Sequence, residues 1–220
     1  VAFRDTVNRV LRRLRETTIS DDWSGSYESS TAVTDYQKLI CDLVNEVKRE
    51  VEDSWDWTAL RRSQQITTSS GTQAYALTGS NQRTRIINVV DHDGTNLSQV
   101  SYAWMKDAKY PSTSNGRPSY YSVGSVSSDV LSIDVWPIPD AAYDYDFNIV
   151  DPQDDLYLAA DDISILENVV VLGAWARAIA ERGEDGGSLS DMAQNQYAQA
   201  LADAVAIDAG RHSEELVWYA

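Results

Sequence analysis

The sequence holds one cysteine, Cys41, and two histidines, His92 and His212, among 220 residues. A lone cysteine excludes an intrachain disulfide and cannot build a zinc knuckle. Cys41 falls on an apolar helical stripe, where a thiol reads as a buried, inert core residue. Neither histidine has a metal-motif partner nearby in the sequence, and both read as solvated. The glycines form no G-x-G-x-x-G, no G-x-x-x-x-G-K-[ST] and no G-x-S-x-G elbow. The longest apolar run, "VVVLGAWA" at 169–176, is far short of a membrane span. No signal-peptide pattern opens the chain. The expectation is a soluble protein made in the cytoplasm, not an enzyme, with no cofactor, no metal site and no membrane partner.

Basic residues are scarce: 18 Lys and Arg stand against 34 Asp and Glu, for a net charge of −16. A fold that grips nucleic acid through its phosphates normally shows a basic face. The charge argues against tight DNA binding and leaves open a channel that DNA slides past; the resemblance given below implies genomic DNA only as a passing strand. The charge is uneven. Arg4, Arg9, Arg12, Arg13 and Arg15 face only Asp5 between residues 4 and 15, whereas residues 140–162 carry eight acids and no base. Guanidinium groups suit bidentate pairing with carboxylates, so these five arginines are candidates for a subunit interface or a channel wall. Phenylalanine is scarce too (2), while Tyr (12) and Trp (7) are plentiful. Such aromatics favour half-wet surfaces and interfaces as well as cores.

What is present is a change of period. Val7, Val10, Leu11 and Leu14 predict a helix over 3–16. "SDDWSGSYESST" at 20–31 reads as a loop, with Trp23 and Tyr27 as anchors and a candidate partner contact. Thr34 and Gln37 fit a capping box ahead of a long helix to about Trp55. After residue 63 the pattern turns to strands. "SSGTQ" and "DHDGTN" read as the tips of two hairpins, "YAWMKDAKY" as a short helical turn, and "SYYSV", "VLSIDVW" and "YDFNIV" as three further strands. The helical period returns near 163, with a capping box at Ser164 and Glu167, a helix over 165–182 that is apolar nearly all round, and another over 189–209. The order implies an α+β fold. An antiparallel helical bundle from both chain ends (1–61 with 160–210) carries an inserted antiparallel β-barrel or sandwich-like domain (62–159) and a C-terminal tail (211–220), to which the resemblance below adds a docking role.

Four acidic stretches invite a chemical reading. "DHDGTN" at 91–96 lacks the EF-hand spacing: Gly94 comes three residues after Asp91, and no bidentate Glu follows. "DYD" at 144–146 and "DPQDD" at 151–155 supply carboxylates, but no spacing marks a catalytic pair. "ERGEDGG" at 181–187 reads as a helical hairpin, with Gly183 as the left-handed residue after a helix end and Ser188 starting the next helix.

"FRDTVNRVLRRLRE", "DSWDWTALRRSQQITT", "VWPIPDAAYDYDFNIVDPQDDL" and "VVVLGAWARAIAERGEDGG" follow one another in that order. Together they resemble the head-to-tail adaptor proteins of short-tailed bacteriophages, the tail tubular protein A class. The resemblance covers residues 3 to 209. It implies a structural virion protein at the head–tail interface, assembled in the host cytoplasm as a ring of about twelve copies. The ring would sit beneath the portal protein, continue the DNA channel and receive the tail nozzle protein, with the tail fibres as a further candidate partner. In related adaptors the C-terminal segment docks into the portal, which makes Leu216, Val217, Trp218 and Tyr219 the candidate portal contact. Three other readings stay open: a glycan- or receptor-binding β module using Tyr75, Tyr102, Trp104, Tyr120, Tyr121 and Trp136, a peptidoglycan-active tail protein, and a head-completion connector of a long-tailed phage.

Overall fold

The computed structural model describes residues 1–20, 22–23, 25–109, 114–127, 130–183 and 187–211. Along the chain run α1 (Phe3–Arg13), α2 (Asp35–Ser54), β1 (Arg61–Thr67), β2 (Ala74–Leu77), β3 (Arg85–Asp91), β4 (Ser98–Gln99), α3 (Tyr102–Lys109), β5 (Tyr120–Ser127), β6 (Val130–Trp136), β7 (Asp144–Val150), α4 (Glu167–Arg182) and α5 (Ser188–Ala209). The fold is α+β. It divides into two compact units, Val1–Ala59 with Gln153–Ala220, and Leu60–Pro152.

In the first unit α4 packs against α1, α2 and α5. Its sequence permits this because small and β-branched residues cover it nearly all round, and Val169, Val170, Val171, Leu172, Ala174, Ala176, Ala178 and Ile179 are all buried. Gly173 is the point of closest approach: a Cβ there would lie 2.6 Å from Val47 Cγ1 and 2.9 Å from the Tyr197 ring. The helix ends at Gly183, left-handed at φ 61°, whose N–H donates to Ile179 O at 3.2 Å. The remainder of the "ERGEDGG" turn, Glu184–Gly186, lies outside the described residues.

The Thr34–Gln37 capping box is present in both directions: the Gln37 N–H donates to Thr34 Oγ1 at 3.3 Å and the Thr34 N–H to Gln37 Oε1 at 2.9 Å. The Ser164–Glu167 box is not. Leu166 caps α4 without a side-chain bond. The Glu167 carboxylate instead takes Arg9 and the Thr6 hydroxyl, because a full positive charge outcompetes a backbone N–H for a carboxylate. The first helix is also shorter than its pattern, ending at Arg13 rather than 16. Arg15 turns left-handed at φ 59°, and the Glu16 N–H closes back on Leu11 O at 2.9 Å.

The second unit holds two sheets, of order β1-β7-β3 and β2-β6-β5-β4. Neither closes into a barrel. They share one core: Val89, Tyr145, Phe147 and Ile149 from the first sheet and Leu77, Tyr121, Leu131, Ile133 and Val135 from the second are buried together. The pairing is antiparallel except between β4 and β5, which is parallel. The two expected hairpins are absent as strand pairs. β1 pairs with β7 and β2 with β6; β3 pairs with β7 and β4 with β5. The turn residues are real, and "DHDGTN" does fold back, with the Leu97 N–H reaching Val89 O at 2.8 Å. Each turn carries the chain from one sheet to the other, and local turn chemistry does not encode which strand the next one will meet.

One face of α2 grips the chain where it returns to the helical unit. Asn45 exchanges two 3.0 Å bonds with the Leu156 backbone. The fully buried Lys48 ammonium donates to Gln153 O and Asp154 O, both at 2.9 Å, and pairs with buried Glu52 at 3.3 Å. Arg49 pairs with Asp155. At the far end of α5, Asp208 accepts the Thr58 N–H at 3.0 Å and pairs with Arg211 at 3.3 Å. Burial pushes the Asp208 carboxyl up, but the hydrogen bonds from Thr58 and the Arg211 charge outweigh it and leave the pKa below its ordinary value.

Two outcomes are expected from chemical denaturation. Lys48→Met strips the ammonium from buried Glu52 and lowers the unfolding free energy by about 3–5 kcal/mol, while adding Glu52→Leu recovers part of it. Asp208→Asn melts below the wild type at pH 7. Because the folded pKa of Asp208 is depressed, its contribution is complete above the unfolded value of about 3.9 and fades as pH falls through the folded one, so the gap between the two proteins narrows below about pH 4.

Candidate partner-binding surface

The five arginines of α1 and its end separate into two groups. Arg4 pairs with Asp22 and Asp5, and Arg9 with Glu167, so both are engaged inside their own unit. Arg12, Arg13 and Arg15 are exposed at the C-terminal end of the helix. Among the described residues no carboxylate pairs with any of the three. The Arg13 guanidinium stands over the Trp175 ring at 5.2 Å.

Arg13 and Arg15 border a groove of about 480 Å³. Its floor is apolar, from Leu14, Trp175, Ile179 and Leu189, and its rim is Arg13, Arg15 and Arg182. Arg182 is set in place by the Tyr36 hydroxyl at 2.9 Å and by Glu16, and its guanidinium lies over the Tyr36 ring. Arg15 occupies the groove rim in a left-handed conformation that suits glycine. A non-glycine residue held there is a reason to look for a role of its side chain.

A contrasting surface lies at the other end of α1. There the Phe3 N–H donates to Asp161 O at 2.7 Å and the Arg4 N–H to Ala159 O at 3.2 Å. These bonds satisfy first-turn donors that no side chain caps. The segment they dock against reads Asp-Asp-Leu-Tyr-Leu-Ala-Ala-Asp-Asp over 154–162. Leu156 and Ala159 point inward, whereas Tyr157 and Leu158 are 40% and 47% exposed. The Asp161 carboxylate shapes this bend by accepting the N–H groups of Tyr157 at 2.9 Å and Leu158 at 2.7 Å. The acids of 154–162 are legible in the sequence; the outward placement of Tyr157 and Leu158 is not.

Trp23 and Tyr27, the expected loop anchors, are 4% and 2% exposed. Trp23 Nε1 donates to Tyr157 O at 2.8 Å, both rings pack on Phe3, and the Tyr27 ring stacks on Tyr157. The Tyr27 hydroxyl donates to Asp42 at 2.6 Å; burial first, and that carboxylate second, raise its pKa. Their rings hold the loop to its own unit. Leu216, Val217, Trp218 and Tyr219 lie outside the described residues, as does His212.

Among the described residues the chemistry-bearing side chains give no convergent cluster. Among the described residues no group of three or more His, Cys, Asp or Glu is placed to hold a metal ion, and no helix is long and apolar enough to cross a membrane. Burial and the nearby Asp42 push the Cys41 thiol up to about 12. In the β unit the six aromatics do not form one platform. Tyr121 and Trp136 are buried, the Tyr75 hydroxyl is bonded to the backbone of Ser69 and Thr72, and only Tyr102, Trp104 and Tyr120 are exposed.

A family model described as SU10 adaptor protein matches residues 2–217. No curated protein matches the chain.

Since the left-handed backbone at Arg15 favours glycine, Arg15→Gly is expected to leave the fold intact and to raise the unfolding free energy by up to about 1 kcal/mol, read from urea denaturation midpoints.

Proposed function

The chain belongs to the SU10 adaptor protein family, a family of phage head–tail adaptors, and from that premise we propose that it forms a ring joining the capsid portal to the tail nozzle. The family is a structural one, and membership implies contact with portal and tail components in the virion. The observation that carries the proposal is the family match across residues 2–217, nearly the full chain. In this reading the ring holds about twelve copies, assembles in the host cytoplasm and performs no catalysis.

The charge of the chain supports a channel role. A wall built from copies carrying −16 each repels phosphate, so a genome can slide past without being held. The basic residues of α1 fit the same picture, because Arg4 and Arg9 are matched by carboxylates of their own unit. Portal contact is assigned in this reading to the segment 212–220, where Leu216, Val217, Trp218 and Tyr219 follow Glu214 and Glu215. Four apolar or aromatic residues in succession gain from burial against a partner. Tail fibres remain a further candidate partner on the side away from the portal.

The test is co-sedimentation with the portal ring of the same phage. The full chain is expected to travel with the portal, and a chain lacking 212–220 to lose binding while melting at an unchanged temperature. Binding retained by the truncated chain would reject the tail assignment. A full chain that engages neither portal nor tail components would reject the adaptor reading.

A further inference from the structure

We propose that the arginine-rimmed groove is the socket for the 154–162 bend of a second copy, so that neighbouring copies join head to tail. The inference rests on the adaptor reading for its context, but its argument is the match between two surfaces of one unit. The groove offers an apolar floor, Leu14, Trp175, Ile179 and Leu189, beneath the cations Arg13 and Arg15. The bend offers the converse, an apolar knob of Tyr157 and Leu158 flanked by Asp154 and Asp155 on one side and Asp161 and Asp162 on the other. Asp154 and Asp162 are exposed, Asp162 lying 3.3 Å from the N-terminal ammonium, whereas Asp155 is held by Arg49 and Asp161 by the N–H groups of Tyr157 and Leu158, so Asp154 is the acid of the bend best placed to meet the rim. The apolar side chains would leave water together, while guanidinium groups without a carboxylate partner among the described residues gain one at the rim.

A copy does not fill its own socket. The bend is tied by backbone bonds to Phe3 and Arg4 at the start of α1, and the groove begins at Arg13 and Leu14 at its end. Eleven residues of helix separate Phe3 from Leu14, roughly 17 Å at 1.5 Å per residue. The knob of one copy therefore reaches only the groove of another. Because the two surfaces differ, the contact is heterologous: each copy keeps a free knob and a free groove, and the series ends only when it closes on itself. Duplex DNA fits the groove less well, since a phosphate backbone would leave the Leu14, Trp175 and Leu189 floor uncovered.

Two variants separate the halves of the contact. Arg13→Glu with Arg15→Glu reverses the groove rim; Leu158→Lys disables the knob. Neither alters a fully buried side chain, and Arg15→Gly serves as a groove variant that keeps the fold at full stability. Native mass spectrometry of the full chain reads the outcome. The wild type is expected to form species beyond the dimer as its concentration rises, with each variant alone associating at least ~tenfold more weakly. An equimolar mixture of the two variants joins one intact knob to one intact groove and stops at the dimer. A wild-type chain that stays monomeric at every concentration, variants that associate like the wild type, or a mixture no better than its parts would each overturn the proposal. Portal binding measured on the same samples keeps the two readings apart. Copies that bind the portal without contacting one another would reject this contact alone, and head-to-tail assembly without portal binding would reject the adaptor reading alone.

Discussion

The Lys48 ammonium, with no exposed surface, has to find oxygen partners inside the protein, and it finds them on Glu52 one helical turn away and on the backbone of Gln153 and Asp154. That requirement organises the helical unit. It fixes the place on α2 where the chain comes back after the β unit, and Asn45 and Arg49, on the same stretch of helix, extend the grip through Leu156 and Asp155. With 153–156 held, the bend that follows is placed against the start of α1, and α1 gains acceptors for the N–H groups of its first turn. A buried ion pair is weak support for stability by itself. Here two carbonyl bonds accompany it, and its larger effect is to allow only one path for the returning chain.

Much of this was open to reading in the sequence. The 3.6-residue stripes located the four long helices to within a few residues, and the Thr34–Gln37 box and the Gly183 terminus were placed by local chemistry alone. Strand positions were legible for the same reason: a period of two is a local property. Partnership between strands was not. Residues 68–73 and 91–96 carry the turn residues of hairpins, yet each turn links different sheets, and the choice depends on where β6 and β7 arrive much later in the chain. Lys48 and Glu52 gave no signal either, because an i,i+4 pair of opposite charges is the usual mark of an exposed helix face. The groove joins residues from 13 to 189 that no local pattern connects, and the Ser164–Glu167 box gives way to an arginine far away in sequence. The family resemblance came from the ordered set of segments, and the family match agrees with it.

The surface arginines follow one logic. In a chain this acidic a guanidinium has many carboxylates within reach, and Arg4, Arg9, Arg49, Arg177 and Arg182 each take at least one. Arg13 and Arg15 do not, among the described residues, and both stand beside exposed apolar surface. Local neutralisation elsewhere contrasts with the end of α1, where Arg12, Arg13 and Arg15 cluster without a carboxylate partner among the described residues. Association steered by such a patch acts through rate and orientation as much as through affinity.

The β unit leaves the helical unit after Ala59 and returns at Gln153, and its two ends are tied together within itself, where the Asp151 N–H donates to Leu60 O at 2.9 Å. An insertion whose ends meet behaves as a cartridge. Its contents can be exchanged, lengthened or redecorated in the course of descent without rerouting the host helices, because its two ends stay together. Phages that meet different tails could thus vary this cartridge freely while keeping the helical host under strict selection, and related chains should diverge fastest between residues 60 and 152.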